Sequence, residues 1–353
     1  MSMLSGCSVQ SSLCQPLSWK TFSPEKNSPQ IIQIQHNIAD YYKSVESTYL
    51  TFPEWYIVYS SQEYANYLKD HRPSGFPYFS SIAQYWWSYN TANEFIKNRF
   101  PYNIGDHVML VVIGSSLSAE YFIKGIYENS IGRTTEWLSG NQATAEDIYA
   151  QKTAQDYAEF IPIYPWYDFS FSKRLVGLWA GTPFFGPHML RKLERKVILS
   201  VEYGFKSIYA SLIALGTHMA YGTTSSDTYA LITQIPENFF KEYPNVKNIK
   251  SIGSSENIVA IPSEQPFTDE VKKMTTKPIR FKNIAGNNEI LVTFVVPKYW
   301  NMNFNNSQLL FVMNILTDPQ SKRMAVRLPV NSLVEFLQYL QQNNIQIEHI
   351  YDY

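Results

Sequence analysis

The hydrophobic period of this chain changes once, near residue 228, and that change limits the fold more than any other feature. Before it, apolar residues recur at helical spacing, beginning with Ile31, Ile34, Ile38, Tyr41, Tyr42 and Val45. Pro53 is placed to break that first helix and to open a second over Glu54–Leu68. Further helices are predicted over residues 78–98, from about Gly105 to Asn129, over Ala143–Phe160 and from Pro187 to Leu215. Thr144 is an N-cap for the third of these, with Glu146 and Asp147 in its first turn. After residue 228 the pattern is that of strands: Tyr229–Ile235, Ile249–Ile252, Ile258–Ile261, Glu289–Val296, Leu309–Leu316 and Arg323–Leu328. A helix over Ser332–Gln342 buries Leu333, Phe336, Leu337 and Leu340, and a closing strand holds Ile345, Ile347 and Ile350.

The expected fold class is therefore α+β. A mostly helical N-terminal domain over residues 31–222 is followed by a small ferredoxin-like or related α+β sandwich over residues 228–353. Gly222–Asp227 (GTTSSD) reads as the linker, and residues 1–30, rich in Ser, Gln and Pro, read as a flexible tether.

The helical part carries an internal similarity. Leu117–Tyr127 (LSAEYFIKGIY) aligns with Leu199–Tyr209 (LSVEYGFKSIY), 82 residues later, with seven of eleven positions identical. Upstream, Gly105-Asp106-His107 faces Gly186-Pro187-His188, and Pro101-Tyr102 faces Pro183-Phe184. The duplicated unit is expected over about residues 76–140 and 160–222.

At about 100° per residue, Glu120, Lys124 and Tyr127 share one helix face, and Glu202, Lys206 and Tyr209 share the same face of the second copy. Each copy has a Glu–Lys pair at i,i+4 in the favourable order. The other side is small: Gly114 and Ser118 in one copy, Ser200, Gly204, Ser207 and Ser211 in the other. Small residues let backbones approach closely, so the two helices are expected to cross near Ser118 and Gly204, about a pseudo-twofold axis. Glu120, Lys124, Tyr127, Glu202, Lys206 and Tyr209 are the candidate ligand-binding residues, because facing carboxylates can clamp a polar ligand or share a proton. The plainer alternative is two structural ion pairs with tyrosine packed over them.

Other chemistry is sparse. The chain has no Gly-x-Gly-x-x-Gly, P-loop, Gly-x-Ser-x-Gly or His-Glu-x-x-His pattern, and no Glu-x-x-His pair of a di-iron bundle. No cofactor, metal site or catalytic residue is implied. Net charge is −1, which makes no electrostatic case for nucleic acid. His107 and His188 are placed at helix N-termini, and His349 in the last strand as a structural residue. Arg191–Lys196 (RKLERK) reads as a solvated helix face. The alternative is an anionic surface lined by Arg174, Arg191 and Arg195.

Two features bear on location. Leu4-Ser5-Gly6-Cys7 matches the lipobox of bacterial lipoproteins, which makes Cys7 a lipidation candidate. No run of 18 apolar, uncharged residues exists. The nearest are Val108–Ile126, interrupted by Glu120 and Lys124, and Val197–Tyr221, interrupted by Glu202 and Lys206. Central charges are costly in lipid, so both are expected to be buried helices of a soluble fold. Aromatic residues make up 16% of the chain, and their polar-tipped rings suit core filling and wet interfaces.

Thr51–Tyr59 (TFPEWYIVY), the Gly181–Phe184 loop (GTPF), Leu193–Lys196 (LERK), Glu202-Tyr203-Gly204 and the closing Glu348–Tyr353 (EHIYDY) together resemble a family of bacterial proteins with no assigned activity. The resemblance runs from about residue 48 to the end. It implies a bacterial source and association with the cell envelope, and it brings no catalytic residue. The leading functional expectation is a non-enzymatic binding or assembly protein of the bacterial envelope, partnered by a membrane surface or an envelope protein. The first alternative is an enzyme or small-ligand receptor using the Glu–Lys–Tyr constellation, with a cytoplasmic location open to it. The second is an integral membrane protein with two interrupted spans.

Overall fold

The computed structural model describes residues 14–16, 34, 38, 41–97, 99–221, 227–253 and 255–352, without side chains at 14–16, 45 and 216–221. Cys7 and nearly all of the 1–30 tether lie outside the described residues, as does most of the Gly222–Asp227 linker. The fold is α+β, helical first and sheet-forming after residue 227.

The helices are α1 (Val45–Asp70), α2 (Tyr78–Ile96), α3 (Ile104–Tyr127), α4 (Arg133–Leu138), α5 (Ala145–Phe160), α6 (Phe171–Gly181) and α7 (Met189–Tyr221). The expected break at Pro53 does not occur, because α1 runs through it. A mid-helix proline removes one backbone bond. Tyr49, Phe52, Trp55 and Tyr56 are all buried around it and hold the helix in place. A π-helical turn over Glu128–Gly132 joins α3 to α4. At α5 the Thr144 cap is a full capping box, with Asp147 reaching back to the Thr144 backbone.

Two compact units divide the chain, and neither is one continuous stretch. One comprises Met1–Glu54, Gln84–Ile113 and Ser226–Tyr353, and the other Trp55–Ala83 and Gly114–Ser225.

The first unit holds the sheets. Strands β2 (Asp227–Thr233), β3 (Lys247–Ile252), β4 (Glu256–Pro262) and β5 (Arg280–Ile284) form one sheet in the order β3-β4-β2-β5. Strands β6 (Glu289–Pro297), β7 (Gln308–Asn314), β8 (Ser321–Pro329) and β9 (Gln346–Tyr351) form the other in the order β7-β8-β6-β9, and β1 (Cys14–Pro16) adds to the β7 edge. A short helix α8 (Phe239–Glu242) precedes β3. Helix α9 (Gln265–Met274) lies between β4 and β5, and helix α10 (Leu333–Gln342) between β8 and β9.

Both sheets are built on one βββαβ unit, to which the short α8 adds, in the first copy, the βαββαβ order of the expected ferredoxin-like sandwich, and the two copies agree residue by residue. Ala230 pairs with Val259 and Ile284 in the first sheet, as Val292 pairs with Val326 and Ile350 in the second. The register slips at Lys282 in one and at Glu348 in the other. It slips again at Ile249 and at Leu310. Such bulges re-aim a strand and change its pairing. One apolar core serves both copies: Ile232, Val259 and Ile261 with Val292, Phe294 and Val326, closed by Phe267 and Val271 of α9 and Phe336 and Leu337 of α10.

His349 is fully buried, with Nδ1 3.2 Å from the Thr268 hydroxyl, and burial holds it well below its ordinary pKa. It lies in the last strand, where the sequence placed it. In the same unit, burial and the nearby Asp106 carboxylate push the Glu54 carboxyl up to about 7. A carboxyl raised above its unfolded value stabilises the fold fully below that value, near 4.5, and the contribution is lost as pH rises through 7. Glu54→Gln should therefore flatten the fall in stability between about pH 5 and 8, recovering about 1–2 kcal/mol at pH 8, since Glu54 is only partly buried. Urea midpoints across that range read the effect, and parallel pH profiles for both proteins would contradict it.

Candidate functional site

Helices α3 and α7 run antiparallel where they meet. Lys124 Nζ donates to Glu202 Oε1 at 2.7 Å, and Lys206 Nζ stands 2.7 Å from Glu120 Oε1. The 82-residue shift exchanges these two pairs. The i,i+4 pairs close the ring, Lys124–Glu120 at 3.4 Å and Lys206–Glu202 at 3.3 Å. The four charges alternate and cancel, and all four side chains are half-buried. Aromatic rings border the cations: Tyr64 lies 5.1 Å from Lys124 Nζ, and Phe171 5.5 Å from Lys206 Nζ.

The tyrosines go elsewhere. Tyr127 donates to Glu194 Oε1 at 2.7 Å, while the Tyr209 hydroxyl meets Ser116 Oγ at 3.1 Å and its ring lies against Trp166. So the structure brings together Glu120, Lys124, Glu202 and Lys206 but not Tyr127 and Tyr209. The small faces do not meet either. A Cβ built on Gly204 touches nothing within 4 Å, and Gly125 of α3 instead packs closely on Tyr78 and Phe79 of α2. Long Glu and Lys side chains span the gap between the helices, so close backbone approach is not needed. Removing one member tests the ring. Lys206→Met should cost about 1–2 kcal/mol, between the values for exposed and buried pairs. A double-mutant cycle with Glu120→Gln should show coupling of about 1 kcal/mol, and zero coupling would mean that these side chains do not bridge.

The larger site was not expected from the sequence. Arg191, Lys192, Arg195 and Lys196, read above as a solvated face or an anionic surface, are all buried. Arg191 donates to Asp147 Oδ1 at 2.7 Å, Glu136 Oε1 at 3.2 Å, Glu194 Oε2 at 3.2 Å, the Thr135 hydroxyl at 3.0 Å and the Gly132 carbonyl at 3.1 Å. Arg195 makes a two-pronged contact with Glu128, at 2.9 and 3.2 Å, and also binds Glu194. Lys192 and Lys196 each lie 3.5 Å from Glu146, which is wholly buried. Four cations thus face five carboxylates inside the helical unit. Burial would raise the Asp147 carboxyl, but the Arg191 guanidinium and the Thr144 backbone N–H outweigh it and hold Asp147 below its usual range. The π-helical turn serves this cluster: it presents Glu128 to Arg195 and the Gly132 carbonyl to Arg191. Arg174 is apart, paired with Asp156 at 2.7 Å. His188 meets Gln142, whereas His107 is buried against Tyr89 and Tyr102.

What points outward is the reverse of what points inward. On α7 the exposed residues from Leu190 to Leu215 are Leu190, Leu193, Val197, Val201, Phe205, Ile208, Ser211, Leu212 and Leu215, with no charge among them. On α3 the exposed set from Ile104 to Ile126 is also uncharged, and includes Val108, Val111, Val112, Phe122 and Ile123. Only 28% of the apolar window in Ile104–Leu138, and 17% of that in Met189–Leu215, is buried. Both segments were expected to be buried, and both are instead mostly exposed.

No group of three or more His, Cys, Asp or Glu suited to a metal ion occurs among the described residues. Comparison with protein-family models, with curated proteins and with solved structures gave no match.

Proposed function

We propose that this chain is a binding or assembly protein of the bacterial envelope that enters the lipid bilayer through α3 and α7. The observation that carries this is the outward face of those helices, apolar along its length, over an interior of paired charges. A water-soluble protein distributes its charges the other way, and contiguous apolar patches of this extent mark membrane or partner surfaces. Met189–Leu215 has 27 residues, about 40 Å of helix, against a hydrocarbon core of about 30 Å. Charges inside a membrane protein face the bundle interior and pair with one another, as the neutral ring of Glu120, Lys124, Glu202 and Lys206 does. That balance also favours the ring as a clamp between two helices over a ligand site with charge to spare.

Cells expressing the gene with its upstream region give the test. Membranes washed in alkaline carbonate should retain the protein, and its release into the wash would reject the embedded reading in favour of a face covered by a soluble partner. The lipobox supplies a second anchor in this proposal. Cys7→Ser should abolish incorporation of labelled palmitate, while carbonate resistance persists because α3 and α7 remain. Labelling that survives Cys7→Ser would remove Cys7 from the account.

A further inference from the structure

Apart from α8, the two βββαβ copies differ at their outer strands, and that difference points to a docking surface independent of the membrane. In the second copy the outer strand β7 is covered. β1 pairs antiparallel with it, placing Cys14 opposite Met313, Gln15 opposite Val312 and Pro16 opposite Phe311. The matching bulges at Ile249 and Leu310 put β3 and β7 in one register, so Lys250, Ser251 and Ile252 occupy the places of Phe311, Val312 and Met313. Among the described residues β3 pairs only with β4, and its other edge is open.

We propose that the β3 edge accepts an extended acidic segment of another polypeptide, antiparallel, as the β7 edge accepts β1. An unpaired edge presents a row of backbone donors and acceptors, and adding a strand satisfies them with little regard to sequence. Charge sets the choice of occupant. β3 (KNIKSI) carries Lys247 and Lys250 with no acid, and all of it but Ile252 is exposed. Lys247 already meets Asp227 at 2.8 Å, which leaves Lys250, at one end of the equivalent β1 footprint, as the specificity residue. A second copy pairing β3 to β3 would set lysine-bearing strands side by side, and like charges on paired strands repel.

Three blocked heptapeptides test this on the purified full-length protein: alternating Glu and Val, alternating Lys and Val, and the Glu/Val peptide with a central proline. Hydrogen exchange at Lys247–Ile252 and fluorescence anisotropy are the readouts. The Glu/Val peptide should slow exchange at β3 and bind at least about tenfold more tightly than the other two. Lys250→Glu, an exposed change that leaves the fold intact, should reverse the order of the acidic and basic peptides. Equal binding of acidic and basic peptides, or no slowing at β3, overturns the proposal. So does protection of β3 that rises with protein concentration in the absence of peptide, which would assign the edge to a second copy.

Discussion

Arg191→Leu should unfold or nearly unfold the helical unit, at a cost of about 3–5 kcal/mol. The guanidinium is 1% exposed and is shared by Asp147, Glu136 and Glu194. Removing it leaves three carboxylates in a site where desolvation is costly and no other cation has the same reach. Domains are stable by only about 5–15 kcal/mol, so the loss is a large fraction of the whole. Arg191→Lys should not rescue it, because a single ammonium cannot reproduce the forked geometry that also serves Thr135 and the Gly132 carbonyl. Proteolytic susceptibility and thermal midpoints read the effect. A variant within about 1 kcal/mol of the parent would mean that the cluster is solvated and the structural account of it wrong.

Val201→Lys together with Phe205→Lys should expel α7 from the bilayer. Both side chains face outward near the middle of the apolar stripe. A lysine at the centre of a membrane helix costs about 2.5–3.5 kcal/mol on insertion scales, and two such changes exceed what one helix of this polarity can absorb. The same pair on a solvated surface would be neutral to within about 0.5 kcal/mol per site. The large gap between these values makes the carbonate-resistant fraction a sensitive readout. Loss of that fraction is expected, and full retention would place the stripe outside lipid.

The sequence made the α+β class legible because the change of period at residue 228 is local and strong. It also placed Glu120, Lys124, Glu202 and Lys206 on matching faces, because i,i+4 geometry is fixed by the helix itself. What it could not show is the direction in which a two-sided helix faces. α7 has an apolar stripe and a charged stripe, and that pattern is the same whether the apolar side meets a core or lipid. The partners of RKLERK are Glu128, Glu136, Glu146 and Asp147, scattered over three other elements and brought together only by the tertiary fold. The βββαβ repeat was hidden for a different reason. Its two copies agree in pairing register while sharing little beyond Val259 and Val326, Pro262 and Pro329, Ile279 and Ile345, and Ile284 and Ile350. Strand cores accept any apolar side chain of suitable size, so register outlasts sequence. The small-residue stripe misled because Gly204 and its neighbours look the same at a tight helix crossing and on an open face.

The most direct measurement of the central claim places a probe on the stripe itself. A single cysteine at Val201, in a chain with Cys7→Ser and Cys14→Ser, carries an environment-sensitive fluorophore in liposomes, with Gln341→Cys on the exposed face of α10 as the aqueous control. The account predicts that the probe at position 201 is quenched by nitroxide-labelled lipid and untouched by iodide, while the probe at 341 shows the opposite. Iodide quenching at 201 equal to that at 341, with no effect of the lipid nitroxide, would contradict it.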